Sequence, residues 1–172
     1  MSKYQVSIER LNNAVGLEIS TLLQYFYFHT HLEDKGYKYL AKLMKQISIS
    51  EMLHVEMLAE RILLLDGEVN MNPSNETVRE TDVKRMLEMA VALERSTVEN
   101  YNKWARECGE ALDSVSHKMF QDIIAEEELH LDDFRRELDK MKAYGDNYLA
   151  LQSIADGKSS VKEIEKRNEE NK

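Results

Sequence analysis

The chain has 172 residues, which is enough to bury the core of a single domain. Its composition is 42% hydrophobic and 32% charged, with one proline and six glycines, which favours long helices over a turn-rich β fold. The net charge of −9 argues against a nucleic-acid partner, because nucleic acids favour a basic face. The single cysteine, Cys108, excludes an intramolecular disulfide and a four-cysteine iron site.

Apolar residues recur at the i, i+3, i+4 spacing of a helix face in four stretches. These stretches predict helices over about residues 7–34, 37–65, 82–108 and 111–144. Glycine is common just past a helix C-terminus, and one stands at each predicted end: Gly36, Gly67, Gly109 and Gly145. No segment approaches the roughly 20 apolar residues of a membrane span or the apolar run of a signal peptide. We therefore expect a cytoplasmic protein with no membrane partner.

The lengths of the connections predict the topology. Only a few residues join the first helix to the second and the third to the fourth, so each pair should form an antiparallel hairpin. The segment 66–81 is longer, and about 15 extended residues can cross roughly 50 Å. We therefore predict an all-α four-helix bundle of two hairpins joined by a long crossover. Residues 147–155 should add a short fifth helix, giving a bundle domain over 1–157 and a disordered tail over 158–172.

Six ionisable residues lie within the apolar stripes where core residues are expected. They are Glu18, Glu51, His54, Glu94, Glu127 and His130. Burying an ionised carboxylate without a partner is costly, so four of them in one bundle require a compensating charge. The alternative is that they are exposed residues on misread helices.

The spacing of these residues favours a buried cluster. An interval of 33 residues separates Glu18 from Glu51 and Glu94 from Glu127. An offset of 76 relates Glu18 to Glu94, Glu51 to Glu127, His54 to His130 and Tyr25 to Tyr101. The chain thus contains two similar hairpins, each with one Glu and one Glu-x-x-His. At ~1.5 Å per residue the two glutamates of a hairpin stand at nearly the same height, so all six side chains can converge in mid-bundle.

Two divalent cations would neutralise four carboxylates. Mixed carboxylate and imidazole ligands suit iron, manganese or zinc better than magnesium or calcium. One Glu from each of two helices plus Glu-x-x-His from the other two is the ligand pattern of ferritin-like di-iron proteins. The sequence therefore predicts a ferritin-like bundle that holds a two-metal, di-iron centre.

The helical region, about residues 6–155, resembles bacterioferritin. The segments that carry the resemblance are Glu51-Met52-Leu53-His54, Ala59-Glu60-Arg61-Ile62 and Glu126-Glu127-Glu128-Leu129-His130. The resemblance implies that Glu18 and Glu94 are terminal iron ligands, that Glu51 and Glu127 bridge the irons, and that His54 and His130 each bind one iron. It also places Tyr25 next to the centre.

The resemblance further implies a haem, which bacterioferritins bind between two subunits through one methionine from each. Met52 is the matching position, and it lies about 100° around the helix from Glu51, so it can face a partner helix. A two-fold interface presents the same residue twice. The alternative is a methionine that packs at the interface without haem.

This sequence departs from the family pattern at two positions. Some family members have His at the position of Gln46 and Asp at the position of Ser50, where these residues assist iron passage or orient a ligand histidine.

By this resemblance the chain is a ferroxidase that stores and detoxifies iron. Fe(II) would be oxidised by O2 or H2O2 and mineralised inside a hollow homo-oligomer. The resemblance implies 24 subunits built from two-fold dimers. Haem at Met52 would pass electrons to the mineral, and a ferredoxin-type reductant would be a further partner. The alternative is a soluble di-iron peroxidase or redox enzyme without mineral storage. A DNA-protecting mini-ferritin fits less well, because it takes its ligands from two subunits.

The other histidines and the cysteine are given no role in the centre. His29, His31 and His117 are interpreted as surface or structural, and Cys108 as a small core or interface residue.

Overall fold

Four long helices form the molecule in a computed structural model that describes residues 4–145, 147–154 and 157. They are α1 (Gln5–Asp34), α2 (Lys38–Leu64), α3 (Val83–Glu110) and α4 (Ser114–Tyr144). A short fifth helix, α5, covers residues 147–154. The predicted bundle of two hairpins with a crossover and a short C-terminal helix is confirmed. The predicted tail over 158–172 and the last residue of the predicted fifth helix, Ala155, lie outside the described residues.

Local signals fix where the helices begin and end. The Asp82 side chain accepts a hydrogen bond from the backbone N–H of Arg85 and caps α3, while Asp113 caps α4 through the N–H of Ser116. Gly36, just after α1, has φ +79°, as predicted for a glycine at a helix end. The prediction is wrong at Gly109, which lies inside α3; Leu112 takes the left-handed conformation there instead.

The apolar core is divided into two clusters. One packs around Tyr25, Phe28, Leu32, Met44, Met86 and Phe134, and the other around Leu11, Val15, Leu58, Tyr101, Phe120 and Ile123. All of these side chains are fully or almost fully buried. The predicted ionisable residues lie between the two clusters, so the bundle encloses a polar layer between two apolar halves.

The crossover follows the surface of α1 and is attached to it at every fourth residue. Its contacts, in order along α1, are Asn12 with Glu68 and Asn70, Gly16 with Ser74, Ser20 with Asn75, and Gln24 with Val78. At the last of these the Gln24 amide both donates to and accepts from the backbone of Val78. These bonds satisfy backbone groups that a long loop would otherwise leave to solvent. The crossover therefore runs from the end of α2 to the start of α3 along the outside of the bundle.

Gly16 permits the close approach of this crossover to α1. A Cβ at this position would lie 2.4 Å from Ser74 Oγ and 3.1 Å from the carbonyl oxygen of Asn72. We expect Gly16→Ala to lower the free energy of unfolding by about 1–3 kcal/mol, because overpacking forces the crossover outward. Urea unfolding monitored by circular dichroism measures the change. Gly157→Ala is the matched control, since nothing lies within 4 Å of a Cβ there, and an equal loss in both variants would contradict the packing explanation.

Candidate metal centre

Six ionisable side chains from all four long helices meet in the polar layer. They are Glu18 from α1, Glu51 and His54 from α2, Glu94 from α3, and Glu127 and His130 from α4. The first five expose 2% or less of their surface, and the side chain of His130 exposes 12%. The structure thus brings together every residue that the sequence predicted as a metal ligand, and the alternative of exposed positions on misread helices is wrong.

The six side chains form two overlapping groups. Glu18, Glu51, His54 and Glu127 make one, and Glu51, Glu94, Glu127 and His130 make the other. Within each group, one ligand atom from every residue lies within 4.8 Å of the others. Glu51 and Glu127 belong to both groups, so two cations held there would share these two carboxylates.

Both histidines direct Nδ1 toward the shared carboxylates. His54 Nδ1 lies 3.0 Å from Glu51 Oε2 and 3.0 Å from Glu127 Oε1. His130 Nδ1 lies 3.3 Å from Glu51 Oε1 and 3.5 Å from Glu127 Oε2. Each imidazole therefore presents the same ring nitrogen to the centre of the bundle, leaving Nε2 for an outer partner.

Several polar atoms of the centre have no hydrogen-bond partner. In the described part of the chain, six buried side-chain atoms are unpaired, and four of them belong to this centre: Glu51 Oε1, Glu94 Oε2, Glu127 Oε1 and His130 Nδ1. Leaving a buried polar atom without a hydrogen bond costs free energy, so a cluster of such atoms indicates a site that binds a ligand such as a metal ion. Carboxylate and imidazole atoms arranged in this way fit divalent iron, manganese or zinc.

Without a metal, the centre retains protons. Burial disfavours the charged form of His130, but the adjacent carboxylates of Glu127 and Glu51 outweigh it and raise its pKa to about 9. Burial likewise opposes charge on His54, yet its carboxylate neighbours raise its pKa far above the usual range. Burial and the neighbouring carboxylates also raise the pKa of Glu18 and of Glu94 well above that of an ordinary glutamate. Protons therefore provide the charge balance that two cations would provide.

Two buried tyrosines hydrogen-bond to Glu94 and Glu18, the glutamates that belong to only one of the two groups. The hydroxyl of Tyr25 donates to Glu94 Oε1, and the hydroxyl of Tyr101 donates to Glu18 Oε1. Burial raises the pKa of both phenols well above the usual range, so both remain protonated donors. Each tyrosine thus holds a glutamate of the other hairpin. Tyr25 was predicted to lie at the centre, whereas Tyr101 was missed as a site residue although its offset of 76 from Tyr25 pointed to it.

The remaining candidate residues lie elsewhere. Met52 is 48% exposed on the outer side of α2, away from the buried centre. His29 and His117 each place Nδ1 within hydrogen-bond distance of a backbone carbonyl of the paired helix, 2.9 Å from Ala41 O and 2.7 Å from Ala105 O respectively. These two histidines join helices within a hairpin. Cys108 is buried in the core, and His31 packs against the ring of Tyr27.

Among the described residues, no helix has the length and apolarity needed to cross a lipid bilayer.

The fold and the buried centre define a ferritin-like protein, and residues 8–144 match the ferritin-like domain family. A bacterioferritin from Desulfovibrio desulfuricans is 37% identical over 143 residues, covering 83% of this chain and 80% of its own length. One from Brucella melitensis biotype 1 is 33% identical over 139 residues, covering 81% and 86% respectively. The chain belongs to the bacterioferritin family.

A solved structure supports the same assignment. The X-ray structure of the Desulfovibrio desulfuricans bacterioferritin, which describes the di-iron site of that protein in different catalytic states, superposes with a TM-score of 0.85. It is 36% identical in sequence and covers 88% of each chain. The similarity therefore extends over the whole bundle.

Proposed function

We propose that this chain is a ferroxidase that stores iron: it binds Fe(II) as substrate, oxidises it to Fe(III) with O2 or H2O2, and deposits the product as mineral inside a hollow homo-oligomer. The observation that carries the proposal is the pair of overlapping ligand groups that share Glu51 and Glu127. Membership of the bacterioferritin family supports it. The cytoplasmic location expected from the sequence agrees with this role.

Each side chain of the centre has a role in the proposed reaction. Glu51 and Glu127 bridge two Fe(II) ions, while Glu18 with His54 and Glu94 with His130 complete the two coordination spheres. Each Fe(II) gives up one electron, and the shared carboxylates hold the two ions close enough to react with one oxidant molecule. Tyr25 and Tyr101 orient the terminal carboxylates, and the two apolar halves of the core keep bulk water from the centre.

The outer surface of α2 supports assembly into a homo-oligomer. Seven large apolar residues of α2 are exposed in the single chain: Tyr39, Ile49, Met52, Leu53, Met57, Leu63 and Leu64. By contrast, α3 is described over its full length and exposes no large apolar side chain. A concentration of exposed apolar side chains on one helix is typical of an interface. We propose that α2 packs against a second copy in a two-fold dimer, and that such dimers build a shell of 24 subunits.

We propose that Met52 would hold a haem at this two-fold interface through its sulfur. Leu23, Phe26 and Ile49 are likewise exposed on the α1–α2 hairpin, where they offer the apolar surroundings that a porphyrin requires. A methionine sulfur is an established haem ligand, so the residues present fit the group. Bound there, the haem supplies a one-electron carrier for reduction of the mineral, with a ferredoxin-type protein as the proposed reductant.

Iron content separates storage from the alternative function, that of a soluble di-iron peroxidase or redox enzyme. The protein is loaded with excess Fe(II) in air, isolated by gel filtration and assayed for iron per chain. We expect tens of iron atoms per chain or more in a particle far larger than a dimer. A value of about two per chain, the capacity of the bundle centre alone, would reject storage in favour of the redox enzyme.

Replacing the proposed haem ligand tests the second site separately. We expect Met52→Leu to abolish haem binding, because leucine offers no donor atom, while Fe(II) oxidation continues. The measurement is the visible absorption of haem after reconstitution. Met57→Leu is the matched control, since Met57 lies on the exposed side of the same helix. Haem retained by the Met52 variant would show that the ligand is a different residue.

A further inference from the structure

The two histidines of the centre differ in what they contact on the outside. His54 Nε2 lies 3.1 Å from Glu126 Oε2, which is within hydrogen-bond distance. The offset of 76 that relates the two hairpins places Ser50 where Glu126 stands in the other half. His130 Nε2 makes no hydrogen bond or ion pair with any residue in the described ranges 4–145, 147–154 and 157. The inner ligand set is symmetric, but its outer support is not.

We propose that Glu126 is a positioning residue for His54, and that its counterpart, Ser50, leaves the two metal positions unequal. The Glu18–His54 position binds a divalent cation more tightly and fills first, and the Glu94–His130 position fills second. This inference rests on the proposed function, in which the centre holds two cations.

The chemistry of the imidazole ring explains the inequality. A histidine that binds a metal through Nδ1 must carry its proton on Nε2, and a carboxylate that accepts this proton fixes the tautomer and increases the basicity of the ligand nitrogen. Glu126 is an ionisable acceptor for His54. Ser50 offers only a short hydroxyl, and among the described residues no hydrogen bond joins it to His130. The Nε2 side of the His130 ring therefore lacks the support that Glu126 gives to His54.

Burial acts in the same direction. The side chain of His54 is 1% exposed, whereas that of His130 is 12% exposed. A ring with more solvent around it samples more orientations, so ordering it on the metal costs more entropy. Glu126 itself is 53% exposed, so it can be replaced without opening the core.

Titration of the metal-free protein with Co(II), followed by visible absorption and calorimetry, tests the proposal without any measurement of activity. We expect two binding steps per chain. Glu126→Gln should weaken the first step about 10- to 100-fold, the usual effect of removing an outer partner of a ligand histidine, and change the second step less than about 3-fold. Glu128→Gln is the control, since Glu128 is an exposed carboxylate two residues from Glu126 and, within the described ranges, makes no hydrogen bond or ion pair with either histidine.

A gain-of-function variant gives the reciprocal test. Ser50→Asp should strengthen the second step, and Ser96→Asp, which adds the same charge at an exposed position of α3, should not. Two equal steps in the natural sequence, or a Glu126→Gln variant that weakens both steps alike, would overturn the proposed inequality and leave the two-metal function intact. A chain that binds fewer than two Co(II) ions would overturn both.

Discussion

Glu94→Gln is expected to reduce the initial rate of Fe(II) oxidation at least about 100-fold, because it removes a proposed terminal ligand rather than an outer partner. This variant is expected to lower the oxidation rate without lowering the free energy of unfolding of the metal-free protein. Burial and the nearby carboxylates raise the pKa of Glu94, which favours the neutral acid in the metal-free protein, a form that glutamine closely imitates. We therefore expect the free energy of unfolding of the metal-free variant at neutral pH to be no lower than that of the natural protein.

Stopped-flow measurement of Fe(II) oxidation and urea unfolding of the metal-free protein test the two halves of this prediction. Glu99→Gln is the control, because Glu99 is an exposed carboxylate on the same helix. An oxidation rate within about twofold of the natural protein would remove Glu94 from the centre. A large loss of stability in the metal-free variant would show that its role is structural.

Binding of two divalent cations at pH 7 is expected to release at least about two protons per chain. The groups that retain protons in the metal-free centre are His54, His130, Glu18 and Glu94, each with its pKa raised. A cation can bind only when these protons leave, so metal affinity should rise with pH, and the part of the rise that comes from His130 should end near pH 9, where His130 loses its proton. Calorimetry in buffers of different ionisation enthalpy counts the protons. Release of fewer than about two would contradict the proposed protonation state.

The same pKa shifts set the stability of the metal-free protein. Because the folded-state pKa of His130 is raised, its contribution to stability is fully present below the ordinary histidine pKa and is lost as the pH rises toward 9. The raised pKa values of Glu18 and Glu94 act in the same direction, since rising pH forces charge into a buried site. We therefore expect the metal-free protein to unfold more easily at pH 9 than at pH 6.5. Bound metal should remove most of this dependence, because it replaces the protons.

The sequence by itself determined the bundle and the six inner residues of the centre. Helical spacing identified the four long helices to within a few residues, since an amphipathic face is a local property of the sequence. The offset of 76 paired Glu18 with Glu94 and His54 with His130, because equivalent positions of two similar hairpins carry the same residue types. Four carboxylates within helix stripes predicted a compensating positive charge, because an unpaired buried charge is costly wherever it lies in the core.

Only the tertiary structure decided which groups support the inner residues. Tyr101 donates to Glu18 across 83 residues, and Glu126 reaches His54 across 72, and neither pairing follows from spacing along one helix. The crossover depends on Gly16, whose missing Cβ matters only when the chain returns 58 residues later. Helix periodicity assigns each residue to a face of its own helix, but contacts between helices depend on how the helices are packed. The residues that meet at the centre could therefore be predicted from the sequence, and so could the difference between Ser50 and Glu126, while the contact of Glu126 with His54 could be established only in the folded bundle.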